Sequence, residues 1–324
     1  MNLDDIRRSV RPDLDAVDAV IRVRLKSAVA LVDQVAEYII SGGGKRLRPL
    51  LVVLSARACG HQGSSHIDAA AFIEFIHTAT LLHDDVVDRS VKRRGRDTAN
   101  SVYGNQTSIL VGDFVYSRAF QMMAAMGSQR VMEIMSEATN VIAEGEVLQL
   151  TNARDPETTP QRYLDVIHRK TAKLFEAGAE VAAVLAGASP SLQRALAAYG
   201  KHLGTAYQLI DDVLDYRADP AERGKNLGDD LAEGKPTLPL IHALRHTDSE
   251  ISRRLIRSAI ADGGALDQMA PILATIESTG ALEYTRALAQ DETDQALTAL
   301  QALPDSPHKK GLAALARFAV ERTY

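Results

Sequence analysis

From His66 to Arg89 the sequence is apolar almost all the way round a helix and then ends in three carboxylates, Asp84, Asp85 and Asp88. Ala69, Ala70, Phe72, Ile73, Phe75, Ile76, Ala79, Leu81 and Leu82 leave no polar stripe wide enough to face water. Such a helix has to lie at the centre of whatever forms, and the rest of the chain has to cover it. Asp84 and Asp88 are four apart and share a helix face, where like charges repel. A hard divalent cation reverses the sign of that interaction, and Mg²⁺ is typically held by one or two carboxylates plus phosphate oxygens. Alone, such a cluster is as readily an exposed acidic helix end. Asp211-Asp-Val-Leu-Asp215 repeats it after a second apolar approach, Tyr207 to Ile210, and the pair favours the metal reading.

The covering elements read as helices. Leu14, Val17, Ile21, Leu25, Ala28, Val32, Val35 and Ile39 recur at three- and four-residue steps and predict one long amphipathic helix over 14–40. Ser41-Gly-Gly-Gly44 stops it, and three glycines let the backbone take positive φ or approach a ligand closely. Lys45, Arg46 and Arg48 follow, with Pro49 near the start of a helix over Leu50–Cys59. A glycine turn followed by basic residues is a phosphate cradle or, equally, a basic helix cap. Further helices are predicted over 107–126, 129–150, 161–186, 191–218, 238–246, 250–261, 266–278, 281–302 and 308–322. Thr159 is placed as the N-cap of the 161–186 helix, with Pro160 at its first position. The polar stretch Arg223 to Pro236 is the longest between helices, and such loops are often functional. No run of alternating β-branched residues occurs. The reading is all-α, a single domain over 1–324 with no linker.

Composition removes several classes of function. The chain has 324 residues, 46% hydrophobic and 24% charged, an ordinary globular mixture that argues against disorder. A net charge of −5 gives no broad basic field, so nucleic acid is not an expected partner. Cys59 is the only cysteine, which rules out an intrachain disulfide and points to a reducing compartment. Asp4, Asp5, Arg7 and Arg8 do not read as a signal peptide, and no apolar run is long enough for a transmembrane helix. A cytoplasmic protein is expected.

Together these features suggest a chemistry. Two carboxylate clusters holding Mg²⁺ would bridge a diphosphate, and the basic knots at Lys45–Arg48 and Lys92–Arg94 would neutralise the remaining charge. Withdrawing electron density from a diphosphate improves it as a leaving group, so an allylic C–O bond can ionise. The resulting cation needs apolar walls that exclude water.

The motifs resemble those of the trans-prenyltransferases, the (E)-polyprenyl diphosphate synthases. Gly42-Gly-Gly-Lys-Arg-Leu-Arg-Pro49, Asp84–Asp88 with Arg93-Arg94-Gly95, Lys170-Thr171, and Gln208 with Asp211–Asp215, Lys225 and Gly234-Lys235-Pro236 carry the resemblance, in order, over essentially the whole chain. It implies an isoprenoid synthase-type bundle of long helices around a central cavity. Two or three Mg²⁺ ions per site would sit on Asp84 and Asp88 of one wall and Asp211 of the opposite wall. Asp85 would support the first pair, and Asp212 and Asp215 would act behind Asp211 or through water. Arg93, Lys170, Thr171, Gln208 and Lys225 would contact the allylic diphosphate; Lys45, Arg48, His77 and Arg94 would hold isopentenyl diphosphate without metal. Lys235 would help close the site, and Lys173 and Arg46 read as solvated or structural. No protein base is evident for the acceptor's proton, which the released pyrophosphate is expected to take. The family usually forms homodimers.

Each added five-carbon unit offers roughly 4 kcal/mol of apolar burial at ~0.8 kcal/mol per carbon, so affinity alone sets no product length. A wall must. Ala79 and Thr80 stand five and four positions before Asp84, where bulky residues set the floor in short-chain family members; both are small, which implies a long product. Ile76, Phe72, Phe75, Met122, Met123 and Met126 are the further candidates for the floor. The resemblance is greatest to bacterial octaprenyl synthases that supply quinone side chains. Ala79→Tyr is expected to shorten products towards farnesyl length. The alternatives are a farnesyl, geranylgeranyl, heptaprenyl or nonaprenyl synthase, a class I terpene cyclase, and a non-catalytic subunit of a heteromeric synthase. Two intact aspartate clusters and the glycine-lysine cradle disfavour the last two.

Overall fold

The structure, a computed structural model, describes residues 2–93, 95–217, 228–264 and 268–322. In chain order the helices are α1 (Leu3–Ser9), α2 (Arg11–Arg24), α3 (Ala30–Ser41), α4 (Leu47–Ala58), α5 (Ser65–Val87), α6 (Ala99–Tyr103), α7 (Asn105–Met126), α8 (Gln129–Asn152), α9 (Pro160–Ile167), α10 (Lys173–Leu185) and α11 (Pro190–Leu214). They continue as α12 (Asp229–Ala232), α13 (Leu238–His246), α14 (Glu250–Asp262), α15 (Met269–Ser278), α16 (Ala281–Ala299) and α17 (Pro307–Glu321). The chain is all-α as expected, apart from a hairpin of β1 (Lys92–Arg93) and β2 (Arg96–Asp97), paired Lys92 to Asp97 and Arg93 to Arg96. Gly95, at φ +74°, serves the reversal between them.

Contacts gather the chain into two compact units. The first comprises Met1–Thr139, Leu174–Gly200 and Leu297–Leu315. Its centre is α5, buried through Ile67, Ala70, Phe72, Ile73, Phe75, Ile76, Ala79 and Leu82, with α2, α4 and α7 packed on it. Small residues let α7 come close. Ser108 Oγ donates to the Leu82 carbonyl at 3.0 Å, and a Cβ at Gly112 would lie 2.4 Å from the His83 ring.

The second unit comprises Asn140–Lys173, Lys201–Ala296 and Ala316–Tyr324. Leu209, Ile210 and Leu214 of α11 pack with Tyr163 and Ile167 of α9 and Leu238 and Ile241 of α13. Leu231, Leu240, Ile256, Ile260, Ile272 and Ile276 form a neighbouring core from α12 to α15.

Two predicted helices are broken. The 14–40 segment is α2 and α3 with a turn between, because the Asp33 carboxylate takes the Ser27 amide at 3.1 Å and Lys26 Nζ at 3.0 Å. A local side-chain acceptor thus competes with the helical ladder. The 161–186 segment is α9, a π-helical turn over His168–Ala172, and α10. The cap assigned to it holds: Thr159 accepts from the Arg162 amide at 3.2 Å, with Pro160 opening the helix.

Candidate active site

In the first unit, α5 displays its three aspartates differently. Asp84 and Asp88 are half-buried and one turn apart, whereas Asp85 is buried. Arg93 reaches back from β1 and places Nε at 2.9 Å and Nη2 at 2.7 Å from the same Asp85 oxygen, Oδ1. Burial opposes the Arg93 charge, but the Asp85 bonds and the charges of Asp85, Asp84 and Asp88 outweigh it and raise its pKa. The hairpin is tied down by Thr98 Oγ1 and Asn100 Nδ2, which donate to the Ser90 carbonyl at 2.7 and 3.2 Å.

The glycine turn after α3 does need its glycines: Gly43 and Gly44 have φ of +68° and +152°. Arg46 follows at φ +46°, a conformation uncommon for a residue with a Cβ, and its Nη1 bonds Glu74 Oε1 of α5 at 2.6 Å. The Arg48 guanidinium lies 4.4 Å above the Phe175 ring, an apolar support for a cation on the first turns of α4. The Lys45 carbonyl takes Arg7 Nη2, and the Lys45 side chain is half-buried. A cavity of about 110 Å³ is lined by Gly42, Gly43, Arg46, His77, Asp85 and Arg93 among others. It brings the glycine turn, His77 and the Asp85–Arg93 pair onto one space. Of the length-setting candidates, Ala79, Ile76 and Met123 are buried and Thr80 is half-buried, its hydroxyl donating to the His77 carbonyl at 2.8 Å. Arg94 lies outside the described residues.

In the second unit, α11 carries Gln208, Asp211 and Asp212, and Asp215 follows directly after its end. Asp212 is buried between two donors, Tyr163 Oη at 2.6 Å and Gln208 Nε2 at 2.9 Å. Thr171 Oγ1 in turn donates to Gln208 Oε1 at 3.0 Å, which fixes the amide's orientation. Burial, then the charges of Asp230 and Asp211, push the Asp212 carboxyl up to about 8, against the two hydrogen bonds. Asp215 is buried too and turns away: its Oδ2 accepts the Asp230 amide at 3.3 Å at the start of α12. Asp211 remains partly exposed, and Arg322 Nη1 lies 2.7 Å from its Oδ1.

Lys170 sits in the π-helical turn, its Nζ 2.6 Å from Glu146 Oε2 and 2.8 Å from Gln149 Oε1 of α8. Gly145 permits that approach, since a Cβ there would lie 2.8 Å from the Lys170 amide nitrogen and 2.7 Å from Arg169 Cβ. Lys235 pairs with Glu233, and its amide bonds the Asp230 carbonyl at 2.8 Å. Lys225 lies outside the described residues. Sequence reading gave no role to Tyr163, Glu146, Gln149 or Arg322; of these only Glu146, next to the glycine of a long helix, and Gln149, near the end of that helix, carried a local signal.

Each unit offers donors that suit a hard cation. Asp84 and Asp88 in the first, and Asp211 in the second, have carboxylate oxygens with partial exposure, and a guanidinium lies against Asp211. Among the described residues no three His, Cys, Asp or Glu side chains form a ready-made cage.

Residues 29–273 match the family described as polyprenyl synthetase. The chain is 54% identical over 322 residues to octaprenyl diphosphate synthase of Escherichia coli K12, covering 99% of each. It is 47% identical over 319 residues to a geranyl-diphosphate-specific all-trans-nonaprenyl-diphosphate synthase of Rhodobacter capsulatus, covering 98% of this chain and 97% of that one. A crystal structure of a polyprenyl synthase from Caulobacter crescentus CB15, complexed with calcium and isoprenyl diphosphate, superposes with a TM-score of 0.96 at 42% identity. That match covers 100% of this chain and 98% of the other.

Proposed function

The chain belongs to the polyprenyl synthetase family, and from that premise we infer that it is a trans-prenyltransferase that builds a long all-trans polyprenyl diphosphate. The observation that carries this reading is the 54% identity to an octaprenyl synthase over 99% of the chain, with both aspartate clusters intact. We assign octaprenyl diphosphate as the product and a quinone side chain as its use.

The substrates are an allylic diphosphate, farnesyl diphosphate as starter, and isopentenyl diphosphate. The allylic C1–O bond breaks and the diphosphate leaves with the electron pair. The isopentenyl double bond supplies the electrons of the new bond to C1. Loss of a proton from the neighbouring carbon, to the released pyrophosphate, sets the trans double bond. Asp84, Asp88 and Asp211 would hold Mg²⁺, which would supply Lewis-acid stabilisation of the departing diphosphate. Arg93 is already held beside the Asp84 and Asp88 face by Asp85, and so meets diphosphate charge without reorganising. Lys170, Thr171, Gln208 and Lys225 bind the allylic diphosphate; Glu146 and Gln149 hold the Lys170 ammonium in one direction. Lys45, Arg48, His77 and Arg94 hold isopentenyl diphosphate, and Lys235 closes the site. Ala79 and Thr80, small and on the same helix as the first cluster, permit a long tail.

The enzyme works as a single catalytic domain and as a homodimer, for which exposed Val102, Ile109 and Leu110 on α6 and α7 offer apolar surface. No described helix is long and apolar enough to cross a membrane. We place the enzyme in the cytoplasm, with peripheral membrane contact at product release. A longer, nonaprenyl product is the second reading, favoured by the 47% identity to a nonaprenyl synthase. Incubation with farnesyl diphosphate, labelled isopentenyl diphosphate and Mg²⁺, followed by mass analysis of the dephosphorylated product, decides between them. Absence of any condensation product refutes the function itself.

A further inference from the structure

Arg322 lies just past α17, with only 2% of its side chain exposed. Four anchors hold the guanidinium. Nη1 is 2.7 Å from Asp211 Oδ1, Nη2 donates to the Tyr207 carbonyl, Nε donates to the Ala319 carbonyl at 3.3 Å, and Cζ sits 3.7 Å from the Tyr207 ring centroid. Only the first is an opposite full charge. A guanidinium is always charged, so its burial requires an anion, and Asp211 provides it. Asp211 itself keeps 37% of its side chain exposed.

We propose that Arg322 is the resident counter-ion of Asp211: it neutralises this carboxylate in the unliganded enzyme and yields it to the divalent cation when substrate arrives. The proposal rests on the assignment of Asp211 as a metal ligand. A carboxylate already paired to a fixed cation is a poorer ligand for another, so ion pair and metal compete. By linkage, whatever removes the pair raises metal affinity by the factor with which the pair lowered it. The carbonyl and ring anchors keep Arg322 seated when Asp211 turns to the metal, which limits the cost of exchange to the ion pair. Capture of the cation then depends on the diphosphate, whose oxygens supply what Asp211 alone cannot outbid.

The test is Mn²⁺ binding followed by electron paramagnetic resonance on the wild type, Arg322→Gln and Arg322→Lys, each with and without inorganic pyrophosphate. The Gln variant is expected to bind Mn²⁺ about two- to fivefold tighter, the range set by one partly exposed ion pair. The Lys variant, which keeps the charge, is expected to stay near wild type. Damage to packing weakens a site or leaves it alone, so equal or lower affinity in the Gln variant overturns the proposal. If the Gln variant does not fold, exchange of the guanidinium protons of the wild type decides. Arg322 Nη1 lies 2.7 Å from Asp211 Oδ1, and Mg²⁺ with pyrophosphate is expected to speed exchange at that nitrogen as Asp211 turns away; unchanged exchange overturns the proposal. A wild type that binds no Mn²⁺ even with pyrophosphate removes the metal assignment of Asp211, a different failure that takes the proposal with it.

Discussion

Arg93 places two nitrogens on a single oxygen of Asp85, at 2.9 and 2.7 Å, and thereby separates one aspartate of the cluster from its neighbours. Asp84 and Asp88 are displayed; Asp85 holds the arginine. Asp85→Ala is expected to cost about 1–3 kcal/mol of stability by leaving a half-buried cation without its partner. Its larger effect is on turnover, because Arg93 loses its fixed position. Urea unfolding alongside steady-state kinetics reads both, and an Asp85→Ala enzyme with unchanged turnover contradicts the assigned role.

Asp84→Ala removes a proposed metal ligand rather than its support. A loss of at least ~10²–10³ in kcat is expected, the scale of losing one electrostatic contact to the developing charge. Addition of EDTA to the wild type is expected to stop isopentenyl incorporation, and Mg²⁺ to restore it. Turnover in the Ala variant at the wild-type rate places the metal elsewhere.

Gly145→Ala drives a methyl group into the π-helical turn that carries Lys170, at 2.8 Å from backbone nitrogen that has no freedom to move aside. The expected cost is about 1–3 kcal/mol, as for other overpacked sites. Because the displaced backbone belongs to Lys170, KM for the allylic diphosphate should rise several-fold more than KM for isopentenyl diphosphate. Equal changes in both would argue for general damage.

Ala79 is fully buried, so a tyrosine ring there has to press into the core around it as well as into the proposed tunnel. Ala79→Tyr is therefore expected to combine shortened products with an overpacking cost of ~1–3 kcal/mol or more. Ala79→Val is the gentler probe: its two added methyl groups should shift the product distribution to fewer isoprene units with little loss of stability. Mass analysis that finds the wild-type distribution in Ala79→Val would falsify the placement of the tunnel along α5.

A buried histidine far from the chemistry contributes to acid sensitivity. His66, fully buried on α5, lies 3.5 Å from Asp13 Oδ2, which Arg57 holds with two bonds of 2.7 Å. Burial, then the Arg57 charge, lower the His66 pKa below its ordinary 6.5, with Asp13 opposing. Between the lowered value and 6.5 the unfolded chain carries the extra proton. Stability is therefore complete above about pH 6.5 and falls as the pH drops through that window. His66→Gln should flatten this fall in urea titrations between pH 7.5 and 5, and an unchanged slope assigns the acid sensitivity to other groups.

The central helix and both aspartate clusters were legible because each is local: an all-apolar α5 and carboxylates one turn apart follow from residue spacing alone. The same is true of Thr159 and Pro160 at the head of α9. The break at Ser27 was hidden because the acceptor that causes it, Asp33, itself continues the helical pattern of the next segment. Tyr163 and Arg322 were invisible for a different reason. Each meets its aspartate only through the fold, Tyr163 from 49 residues away, and hydrophobic periodicity reports which face is buried but not which polar group waits there.

The π-helical turn at His168–Ala172 has a bearing on how this enzyme tolerates change in length. Each residue of an α-helix advances the azimuth by about 100°, so an inserted residue resets the phase of everything after it. Lys170 and Thr171 lie inside the insertion itself. Deleting one residue there would smooth the backbone into a continuous helix of unremarkable sequence, yet rotate the whole of α10 about its axis. Phase, more than composition, is what this short turn conserves.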